Sequence, residues 1–96
     1  MNVELIMRRL DGRTRAFPLG QERVFLGRDS RCDVRIPLPS IAPRQCEIEL
    51  RQEQLILRNL GPTRCTRVNG SDIDAIELHE GDEVDIGPVH FTVRCR

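Results

Sequence analysis

The chain has 96 residues, which fits a single domain over 1–96 with one modest core and leaves no room for a deep enzymatic cavity under a lid. Fifteen Arg and no Lys balance fifteen Asp plus Glu, so the formal charge is zero and the whole molecule offers no cationic field to nucleic acid or membrane. No stretch approaches the roughly 20 apolar residues of a membrane span, and the N-terminal order of charges is wrong for a signal peptide, so we expect a soluble, cytoplasmic protein.

Short β-type runs follow one another along the chain, and no window keeps a helical period over three turns. About ten or eleven short strands at this spacing predict an all-β fold, an antiparallel β-sandwich. In chain order the predicted strands are Val3 to Leu10, Thr14 to Leu19, Arg23 to Gly27, Asp33 to Ile36, Gln45 to Arg51, Gln54 to Leu60, Thr66 to Val68, Ile73 to Leu78, Glu83 to Ile86 and Val89 to Cys95.

Turn residues separate these strands. Asp11-Gly12 predicts a hairpin turn, Asn69-Gly70 predicts a type I′ hairpin, and Gly87-Pro88 links the last two strands. The segment from Pro37 to Pro43 carries three prolines and is predicted to be a loop, because each proline removes a ladder donor.

The predicted core is aliphatic, since the chain has three Phe, no Trp and no Tyr. Phe17, Phe25 and Phe91 occupy apolar strand positions, and we expect all three in the core. Without aromatic side chains free to stack on bases, nucleic-acid binding is not expected.

The four cysteines, at 32, 46, 65 and 95, include no Cys-x-x-Cys pair. We therefore expect reduced thiols that act as small apolar side chains, with no metal and no cofactor.

Charge is unevenly distributed along the chain. The region from Arg23 to Arg67 holds nine Arg against five acids, whereas from Val68 onward seven acids face only two Arg. A basic region and an acidic region are therefore expected on the molecule.

The order of short motifs along the chain resembles that of a forkhead-associated (FHA) domain over nearly its whole length. The resemblance implies a β-sandwich of the FHA/SMAD type with a phosphothreonine-peptide site on the loops at one end. The motifs that carry it are Phe25-Leu26-Gly27-Arg28-Asp29, Asp33-Val34-Arg35-Ile36-Pro37, Pro39-Ser40-Ile41, Glu47-Ile48, Asn59-Leu60-Gly61, Val68-Asn69-Gly70 and Leu78 to Gly87.

The resemblance keeps only part of the family's binding residues. Gly27-Arg28 matches the Gly-Arg pair whose Arg contacts the phosphate or the peptide backbone. The Ser-Arg-x-His motif falls on Ala42-Pro43-Arg44-Gln45, so the phosphate-binding Ser is Ala42, the following Arg is Pro43 and the structural His is Gln45. The Asn that holds the peptide main chain is replaced by Arg64.

These replacements weaken the expected phosphate site, because a phosphothreonine needs converging donors. The lost Ser hydroxyl alone removes a charge-assisted hydrogen bond worth about 1.5 to 3 kcal/mol. The same loops gain cations, however, and we expect an anion site from Arg28, Arg31, Arg44 and Arg64, with Ser40 as a nearby hydroxyl. The alternative is that the arginines are solvated loop residues and that Ser40 caps a turn.

An enzyme is not expected. His79 and His90 are the only histidines, and neither lies in a recognisable nucleophile motif with Ser or Cys.

We therefore interpret the chain as an FHA-like protein-interaction module of a signalling or regulatory protein. It would bind a phosphothreonine or acidic peptide of a protein partner with altered phosphate recognition, and self-association through the basic and acidic regions stays open. The alternative is a phosphorylation-independent interaction or scaffold domain. Met1 suggests that the module begins its chain, and the absence of Lys points to a GC-rich bacterial genome.

Overall fold

A computed structural model of the chain describes residues 2–9, 11–62 and 65–95. Eleven strands form within these residues: β1 Val3–Arg8, β2 Thr14–Pro18, β3 Arg23–Gly27, β4 Val34–Arg35, β5 Cys46–Arg51, β6 Gln54–Asn59, β7 Thr66–Val68, β8 Ser71–Asp72, β9 Ala75–Leu78, β10 Glu83–Ile86 and β11 Val89–Cys95.

The strands form two sheets that pack as a sandwich. One sheet has six strands in the order β2-β1-β11-β10-β7-β8, and the other has five in the order β4-β3-β5-β6-β9. The pairing is antiparallel except between β3 and β4, which run parallel over Leu26–Gly27 and Val34–Arg35. The prediction of an all-β sandwich is confirmed.

The type I′ hairpin at Asn69-Gly70 is also confirmed, since both residues have positive φ angles, 51° and 87°. The turn joins β7 to β8, a two-residue strand that the sequence pattern did not separate from the segment before Ile73. Arg67 and Val68 pair there with Asp72 and Ser71.

The core between the sheets is aliphatic, as predicted, with Phe91 as its largest fully buried side chain. Phe17 is partly buried and meets Phe91 edge-on at a centroid distance of 6.3 Å. The prediction that Phe25 belongs to the core is wrong. On β3, Val24 and Leu26 fill the core, so the alternation of the strand turns Phe25 to the outer face.

Cys32, Cys46 and Cys95 are free thiols. Cys46 is buried in the core, and burial raises its pKa from 9.0 to about 12. This residue acts as the small apolar side chain that was predicted, while the other three are only partly buried.

None of the described segments forms a helix with the length and hydropathy needed to cross a bilayer.

Candidate functional site

The loops that follow β3 and precede β5 hold each other through their backbones at one end of the sandwich. Arg28 N–H donates to Ala42 O at 3.0 Å, and Asp29 N–H donates to Pro43 O at 3.1 Å. Cys32 adds a thiol contact, since its Sγ lies 3.1 Å from Pro43 O. Residues 14 positions apart in sequence are thereby fixed next to each other.

Gly27 permits this close approach. A Cβ at Gly27 would lie 2.9 Å from Pro43 C and 3.0 Å from Ala42 O, and closer still to Pro43 O. These are backbone atoms, which cannot rotate away as a flexible side chain can. The close packing of the two loops therefore depends on the absence of a side chain at Gly27.

Gln45 connects these loops to the β6–β7 segment. Its side chain is fully buried, its Oε1 accepts from Ala42 N–H at 3.0 Å, and its Nε2 donates to Asn59 Oδ1 at 3.0 Å. The backbone oxygen of Gln45 accepts from Leu60 N–H and Gly61 N–H. Gln45 therefore links the β4–β5 loop to the end of β6 by hydrogen bonds of its buried side chain, at the position where the resemblance implied a structural histidine.

Arg28 lies on this surface with an exposed side chain. Its Nε donates to Ile41 O at 3.0 Å, and no other side-chain hydrogen bond of Arg28 forms within the described residues. The outer edge of the guanidinium, with its two Nη groups, is directed to no acid there. This edge is the part that could receive an anion.

Arg31 is engaged by an acid. It forms a two-point ion pair with Asp29, with Nη2 3.0 Å from Oδ2 and Nε 3.3 Å from Oδ1. These hydrogen bonds lower the pKa of Asp29 from 3.8 to about 2. Asp29 therefore stays ionised at neutral pH and offsets the charge of Arg31.

Arg44 stacks on an aromatic ring. Its guanidinium carbon lies 4.5 Å from the centroid of Phe25, on the outer face of the five-stranded sheet. Arg44 is also near enough to Asp29 to contribute to the lowered pKa of that carboxyl. The structure therefore groups Arg28, Arg31 and Arg44 around one loop pair, with Asp29 among them.

The other two predicted residues are placed differently. Ser40 is exposed, and its Oγ lies 3.9 Å from the position of a Cβ on Gly87, which puts the hydroxyl beside the β10–β11 turn. Arg64 lies outside the described residues. Both assignments stay predictions.

Arg35 belongs to the same surface, although the sequence pattern did not single it out. Its Nε donates to Arg28 O at 3.4 Å. The only signal was alternation, because Val34 and Ile36 are buried and Arg35 between them must face outward.

Other arginines of the basic region pair with acids away from these loops. Arg23 and Arg58 both contact Glu47 and Glu49 on the outer face of the five-stranded sheet, at 3.0 to 3.6 Å. Arg67 pairs with Asp72 at 3.0 Å. These ion pairs offset part of the positive charge that the basic region carries in the sequence. The arginines near the loops contribute most of the charge that is left.

The acidic region surrounds His90 on the outer face of the six-stranded sheet. His90 Nδ1 lies 2.6 Å from Asp85 Oδ1, and its Nε2 contacts Glu83. Among the described residues, no group of three His, Cys, Asp or Glu side chains is arranged to hold a metal ion.

We expect His90 to make stability depend on pH. The hydrogen bonds that the His90 ring donates to Asp85, and then to Glu83, raise the pKa of His90 above 6.5. A raised folded-state pKa stabilises the fold below the unfolded pKa, and this contribution is lost as pH rises through the folded value. Urea unfolding should therefore show a larger loss of unfolding free energy between about pH 6 and about pH 9 in the wild type than in His90→Gln. Equal losses in the two proteins would contradict this role.

Comparison with known proteins identifies the family. The FHA domain family model matches residues 24–87. The chain therefore belongs to the FHA domain family, whose members are protein-interaction modules, and the suspected resemblance is confirmed.

Three relatives and one solved structure show the extent of the similarity. Proliferation marker protein Ki-67 of mouse and human is 41% identical over 71 residues, which is 73% of this chain and 2% of Ki-67. The FHA domain-containing protein FhaA of Mycobacterium tuberculosis is 27% identical over 84 residues, 88% of this chain and 16% of FhaA. A domain solved in an analysis of phosphothreonine-dependent FHA domain interactions is 26% identical, with a TM-score of 0.87 over 100% of this chain and 98% of that one.

The chain thus spans a small fraction of the curated relatives it matches. The solved domain takes part in phosphothreonine-dependent FHA domain interactions.

Proposed function

We propose that this domain binds a peptide of a protein partner on the loop surface around Arg28, with phosphate recognition that differs from the family's usual mode. The observation that carries the proposal is the fixed loop pair. The β3–β4 and β4–β5 loops are held by two backbone hydrogen bonds and by Gln45, so they present Arg28 and Arg44 in a defined geometry. The small share of Ki-67 and FhaA that the chain covers supports a role as one module of a larger signalling or regulatory protein.

Arg28 is the proposed anchor. Its Nε holds Ile41 O, which leaves the outer edge of the guanidinium to form a charge-assisted fork with a phosphate or carboxylate. Arg44 is the second proposed cation. It stacks on Phe25 and forms no ion pair with a described acid, whereas Asp29 already binds Arg31 at two points. Ser40 and Arg64 are proposed as further contacts.

The phosphate site lacks two of the family's groups. Ala42 has no hydroxyl, and Pro43 has neither a cationic side chain nor a backbone N–H. A doubly charged phosphate would therefore meet fewer donors than usual, and a carboxylate-bearing peptide competes with it on more equal terms. The proposal is consequently a weakened preference for phosphothreonine, with acidic peptides as the second class of ligand.

The test is a titration of a degenerate phosphothreonine peptide library and its unphosphorylated counterpart, read by fluorescence anisotropy at two salt concentrations. We expect binding that strengthens with the phosphate and weakens with salt. Binding that is equal for both libraries would instead favour a phosphorylation-independent interaction domain, for which the missing Ser hydroxyl and the Asp29–Arg31 pair are the supporting observations.

Arg28→Ala is expected to weaken binding of an anionic peptide by at least about tenfold, the value of one lost charge-assisted hydrogen bond. Arg51→Ala is the matched control. Arg51 is exposed at the far end of β5, and its substitution removes the same charge. Comparable affinities of the two variants, with both folded by circular dichroism, would remove Arg28 from the site.

A further inference from the structure

A second surface lies where β1, β2 and β11 of the six-stranded sheet meet β4 and the segment after it. Two adjoining cavities of about 580 and 420 Å³ share Met7, Leu38 and Val89 as lining residues. Phe17 and Phe91 extend the apolar lining of the second cavity. We call this surface the edge groove.

The floor of the edge groove is hydrophobic without being fully covered. Met7, Phe17, Leu38 and Val89 pack against the core, yet each is only partly buried. Apolar side chains at the bottom of a concave surface gain free energy when another apolar group covers them.

The rim of the edge groove is cationic. Arg8, Arg9, Arg15 and Arg35 line it, and none of them makes an ion pair with a described acid. Asp11 also lines the groove, but its carboxylate accepts from Arg13 N–H at 2.9 Å and lies 3.8 Å from Arg13 Nε. Arg35 Nε donates to Arg28 O, and the Arg15 guanidinium lies over the Phe17 ring at 4.7 Å, but no acid offsets any of the four charges. Four such cations around an apolar floor make the groove complementary to an acidic ligand with aliphatic side chains.

The edge groove is continuous with the loop surface around Arg28. One of its walls is the segment from Ile36 to Leu38, which begins the β4–β5 loop. The same loop continues past Ile41, whose N–H donates to Leu38 O. Arg35 lines the groove and donates to Arg28 O. One extended partner chain is therefore able to occupy both surfaces.

We propose that the edge groove is a second binding site, which takes an unphosphorylated acidic segment with aliphatic side chains from a partner protein. The aliphatic side chains cover Met7, Leu38 and Val89, and the carboxylates lie against Arg8, Arg9 and Arg35. This site does not depend on the phosphate-binding role of Arg28, and it goes beyond the proposed function of the loops.

The test begins with a display library of random 12-residue peptides, selected against the 96-residue domain without phosphorylation. We expect enrichment of peptides that combine Asp or Glu with Leu, Ile or Val. The most enriched peptide is then labelled with fluorescein for anisotropy and added to ¹⁵N-labelled domain for amide chemical-shift mapping. The largest shifts are expected at Met7, Leu38 and Val89.

The decisive variant is Arg8→Ser/Arg9→Ser, which removes two exposed rim charges and leaves the apolar floor intact. The labelled peptide should bind it about fivefold more weakly, as two exposed charge contacts would account for. Arg51→Ser/Arg94→Ser is the control with the same net charge and with both positions outside the groove, and it should bind within about twofold of the wild type.

Arg28→Ala separates this proposal from the function proposed for the loops. That variant should bind the groove peptide like the wild type even though it loses anionic peptides at the loops. Four outcomes would overturn the edge-groove proposal: enriched peptides without acids, shifts centred on Arg28 and Ala42, equal losses in the two double variants, or a dimer of the free domain that buries the groove. Loss of phosphate dependence at the loops would leave it standing.

Discussion

Gln45→Leu is expected to destabilise the domain by about 2 to 4 kcal/mol, because it removes a fully buried amide and leaves a part-buried backbone donor and a part-buried acceptor with fewer partners. Leucine has a similar size but cannot accept from Ala42 N–H or donate to Asn59 Oδ1. Thr66 Oγ1 also donates to Asn59 Oδ1 at 3.0 Å, so Ala42 N–H bears the larger loss. For a domain of this length the midpoint of thermal unfolding should fall by about 10 to 20 °C.

Gln54→Leu is the matched control, since Gln54 begins β6 with an exposed side chain. It should change the unfolding free energy by less than about 0.5 kcal/mol. Calorimetry or urea denaturation of both variants gives the comparison. A Gln45→Leu protein as stable as Gln54→Leu would mean that Gln45 does not hold the loops together.

Gly27→Ala is expected to cost about 1 to 3 kcal/mol and to disturb the loop surface. The added methyl meets the backbone of Ala42 and Pro43, so the loop must move. That movement breaks the hydrogen bonds from Arg28 N–H and Asp29 N–H. We therefore expect weaker peptide binding as well as lower stability, measured by anisotropy and thermal unfolding on the same samples.

Gly20→Ala provides the control for this substitution. A Cβ at Gly20 has no atom within 4 Å, and its backbone does not require a positive φ. The variant should be as stable as the wild type or slightly more stable, because alanine reduces the freedom of the unfolded chain. If Gly27→Ala and Gly20→Ala unfold together, the close approach at Gly27 is not a constraint.

Strand existence was predictable from the sequence, because alternation and turn residues are local signals. Arg23–Gly27, Thr66–Val68, Glu83–Ile86 and Val89–Cys95 have the predicted bounds. The turn at Gln52 and Glu53 was not recognised as one that requires positive φ, since neither is glycine or asparagine, yet their φ angles are 50° and 66°. The parallel pairing of β4 with β3 depends on tertiary contacts that no local pattern encodes.

The sequence predicted which loops carry the candidate site, but not which of its arginines form ion pairs. Motif order placed Arg28, Arg31 and Arg44 on neighbouring loops. It could not show that Asp29 binds Arg31 at two points, because that choice depends on loop geometry. The outward position of Phe25 was missed because hydrophobicity was given more weight than the alternation of β3.

The stacking of Arg44 on Phe25 bears on how a ligand is captured. A free arginine loses about 2 kcal/mol of rotamer entropy when a ligand immobilises it. The ring already restricts the Arg44 guanidinium in the unbound domain, at 4.5 Å from its centroid. Part of the ordering cost is thereby met during folding, so a partner that contacts Arg44 finds a cation whose position is largely set beforehand. The outward-facing Phe25 of β3 thus holds the Arg44 guanidinium in place before the proposed ligand binds.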